Sequence, residues 1–350
     1  MSDIQLKVGH QVYGGWKLVK VRRSLDLFAS TFDLAYTDRW PGQGGARPIA
    51  LGAQAEVYID GQKLITGHVD KAPIRYNAKE RSLGVSGRSK VADLVDCTFN
   101  ADKFNDLQRD NQTLLQLADY LAKPFGIKAR STVKDLKAVE QSFINNSQTV
   151  FDFLEKAARK EAVMLIDDPD GNMVITRASD RRVATALVLG QNILECDGEE
   201  SHRDRFSVYN IIGQYPDSGS QHDPEWKANI SGRAEDKGMR HRPTTIDAET
   251  ALDYAAAEKR AIWQRNLNYG RSRPYTYTVN GWRHAEGLWE PNTLVLVFDP
   301  WAGIVGKDSK GEWLMIGTVE YTLDDNGERT RLTVMPKEAY DLIPIEDDAL

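Results

Sequence analysis

The chain has 350 residues, 41% of them hydrophobic and 27% charged, with a net charge of −6. That length exceeds one ordinary core and suits two or three domains, and the composition is that of a folded globular protein. The acidic balance argues against a dedicated nucleic-acid binder, whose domains carry a basic excess, and no apolar run approaches the roughly 20 residues that span a bilayer.

The N-terminus, Met-Ser-Asp-Ile-Gln-Leu-Lys, lacks the charged-then-apolar pattern of a signal peptide. Synthesis in the cytoplasm without stable membrane association is expected. Residues 1–96 read as short strands, with Phe32, Leu34 and Tyr36, then Ala55, Val57 and Ile59, alternating with polar neighbours around a loop at Trp40-Pro41-Gly42-Gln43-Gly44-Gly45. The stretch ends in Gly61-Gln62-Lys63-Leu64-Ile65-Thr66-Gly67-His68-Val69-Asp70, followed by Leu83 and Val85, which reads as a β-hairpin. Gly67, inside its first strand, marks a bulge or corner where a small barrel bends to close.

From residue 97 the pattern changes. Leu114, Leu117, Ala118, Leu121 and Phe125 follow helical spacing, stopped by Pro124 and Gly126. A second helix starts at Thr149, a hydroxyl cap with Asp152 three residues on. The strands Val163–Ile166 and Met173–Thr176 flank a turn at Asp168-Pro169-Asp170-Gly171-Asn172. Residues 97–188 therefore read as an α+β domain.

Residues 189–350 read as a second barrel. It begins with Val208–Gly213 and is interrupted by a polar loop at 215–243 and a helix at about 247–268. It resumes with Tyr275–Val279 and Leu294–Phe298. It then repeats the hairpin as Gly311-Glu312-Trp313-Leu314-Met315-Ile316-Gly317-Thr318-Val319-Glu320, followed by Leu332 and Val334. The shared skeleton is Gly-x-x-Leu-apolar-x-Gly-x-Val-acid, with Gly317 in the place of Gly67. The predicted class is α+β, mainly β: two similar small β-barrel domains, an intervening α+β domain and a helical insertion.

No catalytic constellation emerges. Gly42-Gln43-Gly44-Gly45 lacks the following helix and the Gly-Lys-Ser/Thr end of a phosphate loop. In Asp168–Gly171 a calcium-loop register would put Ile166 at the first ligand position. Six histidines are scattered without metal-ligand spacing, and no Gly-x-Ser-x-Gly elbow occurs. Cys97 and Cys196 are too few and too far apart for a zinc site or disulfide framework, and are expected as buried free thiols. Glu195, Asp197, Glu199 and Glu200 form the densest acidic cluster, which could supply paired carboxylates to a glycosidase but more often is simply solvated. The basic set Lys259, Arg260, Arg265, Arg271 and Arg273 reads as a solvated helix face and its exit. No cofactor, metal or catalytic residue is expected. Among eight tryptophans, Trp40, Trp226 and Trp289 lie in predicted loops and Trp263 on the predicted helix. These are the candidate interface residues, since tryptophan is enriched where partners anchor.

This layout resembles the baseplate hub proteins of contractile-tailed bacteriophages, in particular the Mu-like tail proteins of the late control protein D family. The resemblance is carried by Trp16 with Leu25 to Phe32, by the strand 53–59 into Asp60-Gly61, and by Gly67-His68-Val69-Asp70. It continues through Thr113-Leu114-Leu115 to Phe125-Gly126-Ile127, and from Thr149–Leu154 to Asp170-Gly171-Asn172. It implies a non-enzymatic homotrimer in the virion tail baseplate, forming a ring that joins the tail tube to the central spike. The implied partners are a separate trimeric spike protein, the tail tube protein and other baseplate proteins, with DNA met only in passage through an acidic or neutral lumen. Two rivals come from other classes: a carbohydrate- or peptidoglycan-processing enzyme using the acidic cluster, and an oligonucleotide-binding barrel. A stable trimer without ligand, a cleft with paired carboxylates, or aromatic and basic side chains on one barrel face would separate the three.

Overall fold

The computed structural model describes residues 3–38, 49–76, 81–100, 108–139, 143–145, 147–213, 230–247 and 254–340. Strands dominate. The first stretch forms β1 (Ile4–Val8), β2 (Gln11–Tyr13), β3 (Leu18–Ser24), β4 (Thr31–Asp38), β5 (Gln54–Ile59), β6 (Gln62–Lys71), β7 (Ile74–Tyr76) and β8 (Arg81–Ser89). The alternation read in the sequence is their cause: Ala55, Val57 and Ile59 of β5 are buried and the residues between them are not. β6 and β7 share one register on β8, Lys71 opposite Ser86 and Ile74 opposite Leu83, so they form one strand interrupted at Ala72-Pro73.

The middle stretch gives α1 (Ala92–Asp96), β9 (Gln112–Thr113), α2 (Leu114–Ala122), β10 (Ala129–Ser131), β11 (Ala138–Val139), α3 (Val150–Lys160), β12 (Met164–Asp167) and β13 (Met173–Thr176). Thr113 and Gln116 close a reciprocal capping box on α2, and the helix runs out through a 3-10 turn to Gly126 at φ +67°. Thr149 caps α3 by accepting from the Asp152 amide at 3.1 Å. Leu114, Leu117, Leu121, Phe153, Leu154, Met173 and Ile175 make a separate core, which also takes in Val91 and Leu94. Asp167 ties this unit to the large sheet: its buried carboxylate accepts from the Ser30 amide at 3.1 Å and from the Ser30 hydroxyl at 2.8 Å.

The last stretch forms β14 (Leu187–Val188), β15 (Ile193–Gly198), β16 (Val208–Gly213), β17 (Ile230–Glu235), β18 (Pro243–Asp247) and α4 (Tyr254–Arg271). It ends with β19 (Tyr275–Asn280), β20 (Arg283–His284), β21 (Gly287–Leu288), β22 (Thr293–Phe298), β23 (Glu312–Asp324) and β24 (Gly327–Met335).

Four expectations need correction. β16 is not part of a second barrel. It pairs antiparallel with β17 and parallel with β18 in a separate sheet whose Ile211 and Ala234 pack on Ala257 and Ala261 of α4. The loop expected at 215–243 therefore contains β17. Its Ser231-Gly232-Arg233-Ala234 carries almost no apolar signal, because the α4 backbone comes so close that a Cβ on Gly232 would lie 2.0 Å from Ala257. Asp247, expected at a helix start, instead ends β18. Cys97 and Cys196 are exposed rather than buried, the latter on a strand paired along one edge.

A fifth departure concerns the barrels. The strands of both halves merge into one 14-stranded sheet, in the order β15-β19-β24-β23-β3-β4-β8-β6-β5-β1-β2, with β22 beside β23, β14 beside β22 and β7 beside β8. Among the described residues no closed barrel forms, because β3 gives one edge to its neighbour β4 and the other to β23 of the second half. One core serves both halves, bringing Val21, Phe32, Val57 and Ile65 together with Tyr277, Trp289, Val319 and Leu332.

Candidate assembly interface

The sheet contains the same four-strand module twice. β3, β4, β8 and β6 follow one another across it, and so do β15, β19, β24 and β23. Pairing registers equate the two residue by residue. Phe32 lies opposite Val21 and Gly87, as Tyr277 lies opposite Cys196 and Leu332. Both rings are fully buried. By the same registers Lys71, opposite Ser86, stands where Glu320 stands opposite Arg331. Gly87, not Leu83, thus takes the place of Leu332, so the sequence likeness of the two hairpins holds along their first strands only.

Gly67 and Gly317 are both close-approach positions, though only one lies at a bulge. Gly317 sits at a register shift between Ile316 and Thr318, whereas Gly67 pairs regularly with Ala55 and Ser89. The shifts around Gly67 fall instead between Val57 and Tyr58 and between Val69 and Lys71. A Cβ would lie 1.8 Å from the Arg88 carbonyl oxygen at Gly67 and 1.8 Å from the Tyr340 hydroxyl at Gly317.

Within the chain, β3 and β23 join the two modules. Arg22 lies opposite Glu320, Lys20 opposite Thr322 and Ser24 opposite Thr318. Lys20 Nζ reaches the Glu320 carboxylate at 3.1 Å and Arg331 reaches it at 3.7 Å. The buried Ser24 and Thr318 hydroxyls are 2.7 Å apart, and the Leu25 amide donates to the Gly317 carbonyl at 2.8 Å.

At the ends of the sheet the corresponding strands lack that partner. β15 occupies the place of β3 but is paired only with β19 among the described residues, and Leu194 to Gly198 are all exposed. The β6–β7 strand occupies the place of β23. Past Val69, whose carbonyl accepts from the Gly52 amide, its side away from β8 carries no strand among the described residues, and Asp70, Lys71, Pro73 and Ile74 are exposed. Unpaired edges of this kind are templates for a further strand.

One face of the sheet is polar. A groove of about 690 Å³ crosses β19, β24, β23, β3, β4 and β8, lined among others by Lys20, Asp33, Glu195, Glu320, Arg329 and Arg331.

The acidic cluster is drawn out along β15 and its exit. Glu200 accepts from the Tyr275 hydroxyl at 2.5 Å and from Arg273 at 2.9 Å. The Tyr275 hydrogen bond, then Arg273, holds its carboxyl below the usual range, while burial and Glu200 push the Tyr275 phenol up to about 12. Arg273, read as solvated, is thus largely buried and ion-paired. Among the described residues no group of three His, Cys, Asp or Glu side chains is placed to hold a metal ion.

Of the four tryptophans singled out from the sequence, Trp40 and Trp226 lie outside the described residues. Trp289 does not present itself to a partner. The β20–β21 ribbon folds it inward, leaving it 2% exposed with its ring 4.9 Å from that of His284. Trp263 is half-buried in a cleft between α3 and α4, under the Arg260 guanidinium at 4.4 Å. The residue missed is Trp301, 93% exposed in the turn after β22. Asp299 shapes that turn by accepting from the amides of Trp301 and Ala302 at 3.1 and 3.2 Å. Asp-Pro-Trp in sequence marks a turn and says nothing of which way the ring points.

A module used twice, sealed once within the chain and, among the described residues, open at both outer edges is the arrangement expected of a structural protein that assembles through its sheet. Residues 3–89 match the N-terminal domain of Mu phage baseplate assembly protein GpP-like proteins, 91–177 the second domain of baseplate hub protein gp44-like proteins, and 253–343 the fourth domain of Mu phage baseplate assembly protein GpP. Baseplate hub protein gp44 of Escherichia phage Mu is 31% identical over 357 residues, spanning 99% of this chain and 91% of that protein. The chain belongs to this Mu-like family of phage baseplate hub proteins, and is a virion tail component. The 43 kDa tail protein of prophage MuSo2 from Shewanella oneidensis superposes with a TM-score of 0.85 at 34% identity, covering 97% of this chain and 100% of the other. The tail protein from Neisseria meningitidis MC58 shares the fold with a TM-score of 0.79 at 23% identity, covering 97% and 98%. These homologues are structural proteins. Among the described residues no helix is long and apolar enough to cross a membrane.

Proposed function

We propose that three copies form a closed ring that joins the tail tube to the central spike, without enzymatic activity. The observation that carries this reading is the pair of open edges, which correspond to the two strands that already seal one module to the next inside the chain. A heterologous contact of this type yields a ring if the rotation closes. With two modules in each chain, three chains supply about six similar units, the number that matches a sixfold tube. The strands 1–96 and 189–350 are the ring-forming, barrel-like units, and the α+β unit 97–188 is appended once per chain on the side of a threefold spike. The groove face becomes the lumen. Its four carboxylates (Asp33, Glu195, Glu320, Asp324) against three cations (Lys20, Arg329, Arg331) support a wall that lets DNA pass without binding it. The tube protein, a separate trimeric spike and other baseplate proteins are the partners. The cleft holding Trp263 and the segments carrying Trp40 and Trp226 are further contact regions. An obligate ring of this kind buries on the order of 2,000–5,000 Å² per interface. Light scattering on the purified protein should give the mass of three chains, and a monomer across micromolar concentrations would refute the ring.

A further inference from the structure

We infer that neighbouring copies join by pairing β15 of one with the β6–β7 strand of the next, in the register of the β3·β23 junction, and that a reversal of charge makes this pairing specific. This rests on the ring proposed above and names its contact.

The registers fix which residues would meet. β3 carries Lys20 and Arg22, opposite Asp33 and Thr31 of β4. β15 carries Glu195 and Asp197, opposite Thr278 and Thr276 of β19. Since Phe32 corresponds to Tyr277, Glu195 stands in the place of Lys20 and Asp197 in the place of Arg22. On the other side Lys71 stands in the place of Glu320. Inside the chain Arg22 lies opposite Glu320. Between copies Asp197 therefore falls opposite Lys71 and Glu195 opposite Pro73, while from Val69 back through His68 that edge is already taken by β5 and the residues leading into it.

Acid has replaced base on one strand and base has replaced acid on its partner. Either change alone would set like charges against each other, which is destabilising for directly opposed residues; both together restore complementarity. Asp197 lies beside Thr276 in line with the groove-lining Glu195, and Lys71 lies beside the groove-lining Ser86, so the two project on the same face. Neither Lys71 nor Glu195 nor Asp197 has an ion-pair partner among the described residues. Lys20 and Glu320, their counterparts in the sealed junction, do. The nearby Asp70 is already held by Arg88 at 2.7 Å. Pro73 does not block the pairing. Its carbonyl accepts from the Gly84 amide at 2.9 Å, and since a strand residue's N–H and C=O point to the same side, the missing N–H falls toward β8. The charges also disfavour like-with-like pairing: β15 laid on β15 of another copy would set Glu195 and Asp197 of one against those of the other, while β23 is already sealed by β3 of its own chain. Head-to-tail pairing is then the favoured contact.

The test uses the full chain. Lys71→Glu, and separately Glu195→Lys with Asp197→Lys, should each raise the concentration at which the trimer half-dissociates by about tenfold or more, as expected for close opposed charges at an interface. The triple variant should return it to within about threefold of wild type. Independently, Lys71→Cys with Asp197→Cys, in a Cys97→Ser, Cys196→Ser background, should form a covalent trimer on mild oxidation, because opposed strand residues lie within disulfide reach. Charge variants that assemble like wild type, or a cysteine pair that stays unlinked in an intact trimer, would overturn the pairing while leaving the ring standing. A wild-type monomer would overturn the ring itself.

Discussion

Replacing Gly67 and Gly317 by alanine should separate two kinds of crowding that look alike in sequence. At Gly67 the added carbon would sit 1.8 Å from the Arg88 carbonyl oxygen, 2.6 Å from its carbon and 2.7 Å from the Ser89 Cα. All three atoms are backbone of the strand paired with β6, and contact requires about 3.4 Å or more. Relief therefore means parting β6 from β8 by more than an ångström and losing ladder bonds around Gly67 and Ser89. At Gly317 the nearest atom is the Tyr340 hydroxyl, also 1.8 Å away, the far end of a side chain whose hydrogen bond to Asp26 is 3.3 Å long. That ring can tilt. Overpacking costs about 1–3 kcal/mol and more where backbone must move, so Gly67→Ala should cost about 3 kcal/mol or more and Gly317→Ala about 1–2. In a Tyr340→Phe background, which removes the nearest atom, Gly317→Ala should become milder by about 0.5–1 kcal/mol. Urea unfolding followed by tryptophan fluorescence measures all of these. Equal costs at the two glycines, or a Gly67→Ala protein within about 0.5 kcal/mol of wild type, would refute the reasoning.

Two further outcomes follow from burial and charge. Trp289→Ala should cost about 3–5 kcal/mol as a core truncation, while Trp301→Ala should change stability by less than about 0.5 kcal/mol. A reversed order in thermal unfolding would mean that Trp289 is not the core residue. Asp236 is opposed by burial, but the hydrogen bonds from Arg205 and the Gly238 amide outweigh it and leave its carboxyl below the usual range. Its folded pKa is depressed, so its contribution is present above the ordinary value of 3.8 and is lost as pH falls through the folded value. Asp236→Asn should therefore destabilise the protein at pH 7 by about 2–3 kcal/mol and by progressively less as pH falls below 3.8, a trend read by urea unfolding across that range.

What was legible in the sequence was local. The alternation in β5, the cap at Thr149 and the stop at Gly126 are written within a few residues, and the repeated Gly-x-x-Leu hairpin pointed to a duplicated module before any coordinate. What was not legible depends on partners far along the chain. β3 reads as an ordinary first-barrel strand, and nothing within Leu18–Ser24 says that its second edge belongs to residues 318–323. β17 was hidden because packing against α4 requires a small residue where a strand would normally show an apolar one. The candidate site was misread for a related reason. Tryptophan was weighed as an anchor by residue type, and type does not distinguish Trp289, folded under a ribbon, from Trp301, held outward by an aspartate turn. Sequence alone reads the acidic residues of β15 as paired carboxylates or a solvated cluster, whereas the role proposed for them rests on Lys20 and Arg22 at the equivalent positions of β3, which only the pairing registers identify.

That comparison also bears on how one chain can serve partners of different symmetry. The two modules agree in strand order and pairing and share one core, but differ in what hangs from them. The first is followed by the unit around α2 and α3, while the second carries the small sheet around α4 and the long β22–β23 connection bearing Trp301, where the first has only the Asp60-Gly61 turn. In the proposed ring, surfaces built from the shared strands recur six times and those built from the appended units three times. The charge reversal follows the same division. β23 is sealed by β3 within each chain, so the edges left to join copies are β15 and β6–β7, and the acids of β15 disfavour its pairing with a second β15. Covalent linkage of the two modules, with head-to-tail pairing of their outer edges, makes the modules alternate in the proposed ring, and alternation is the condition for threefold features to fall in fixed phase on a nearly sixfold wall.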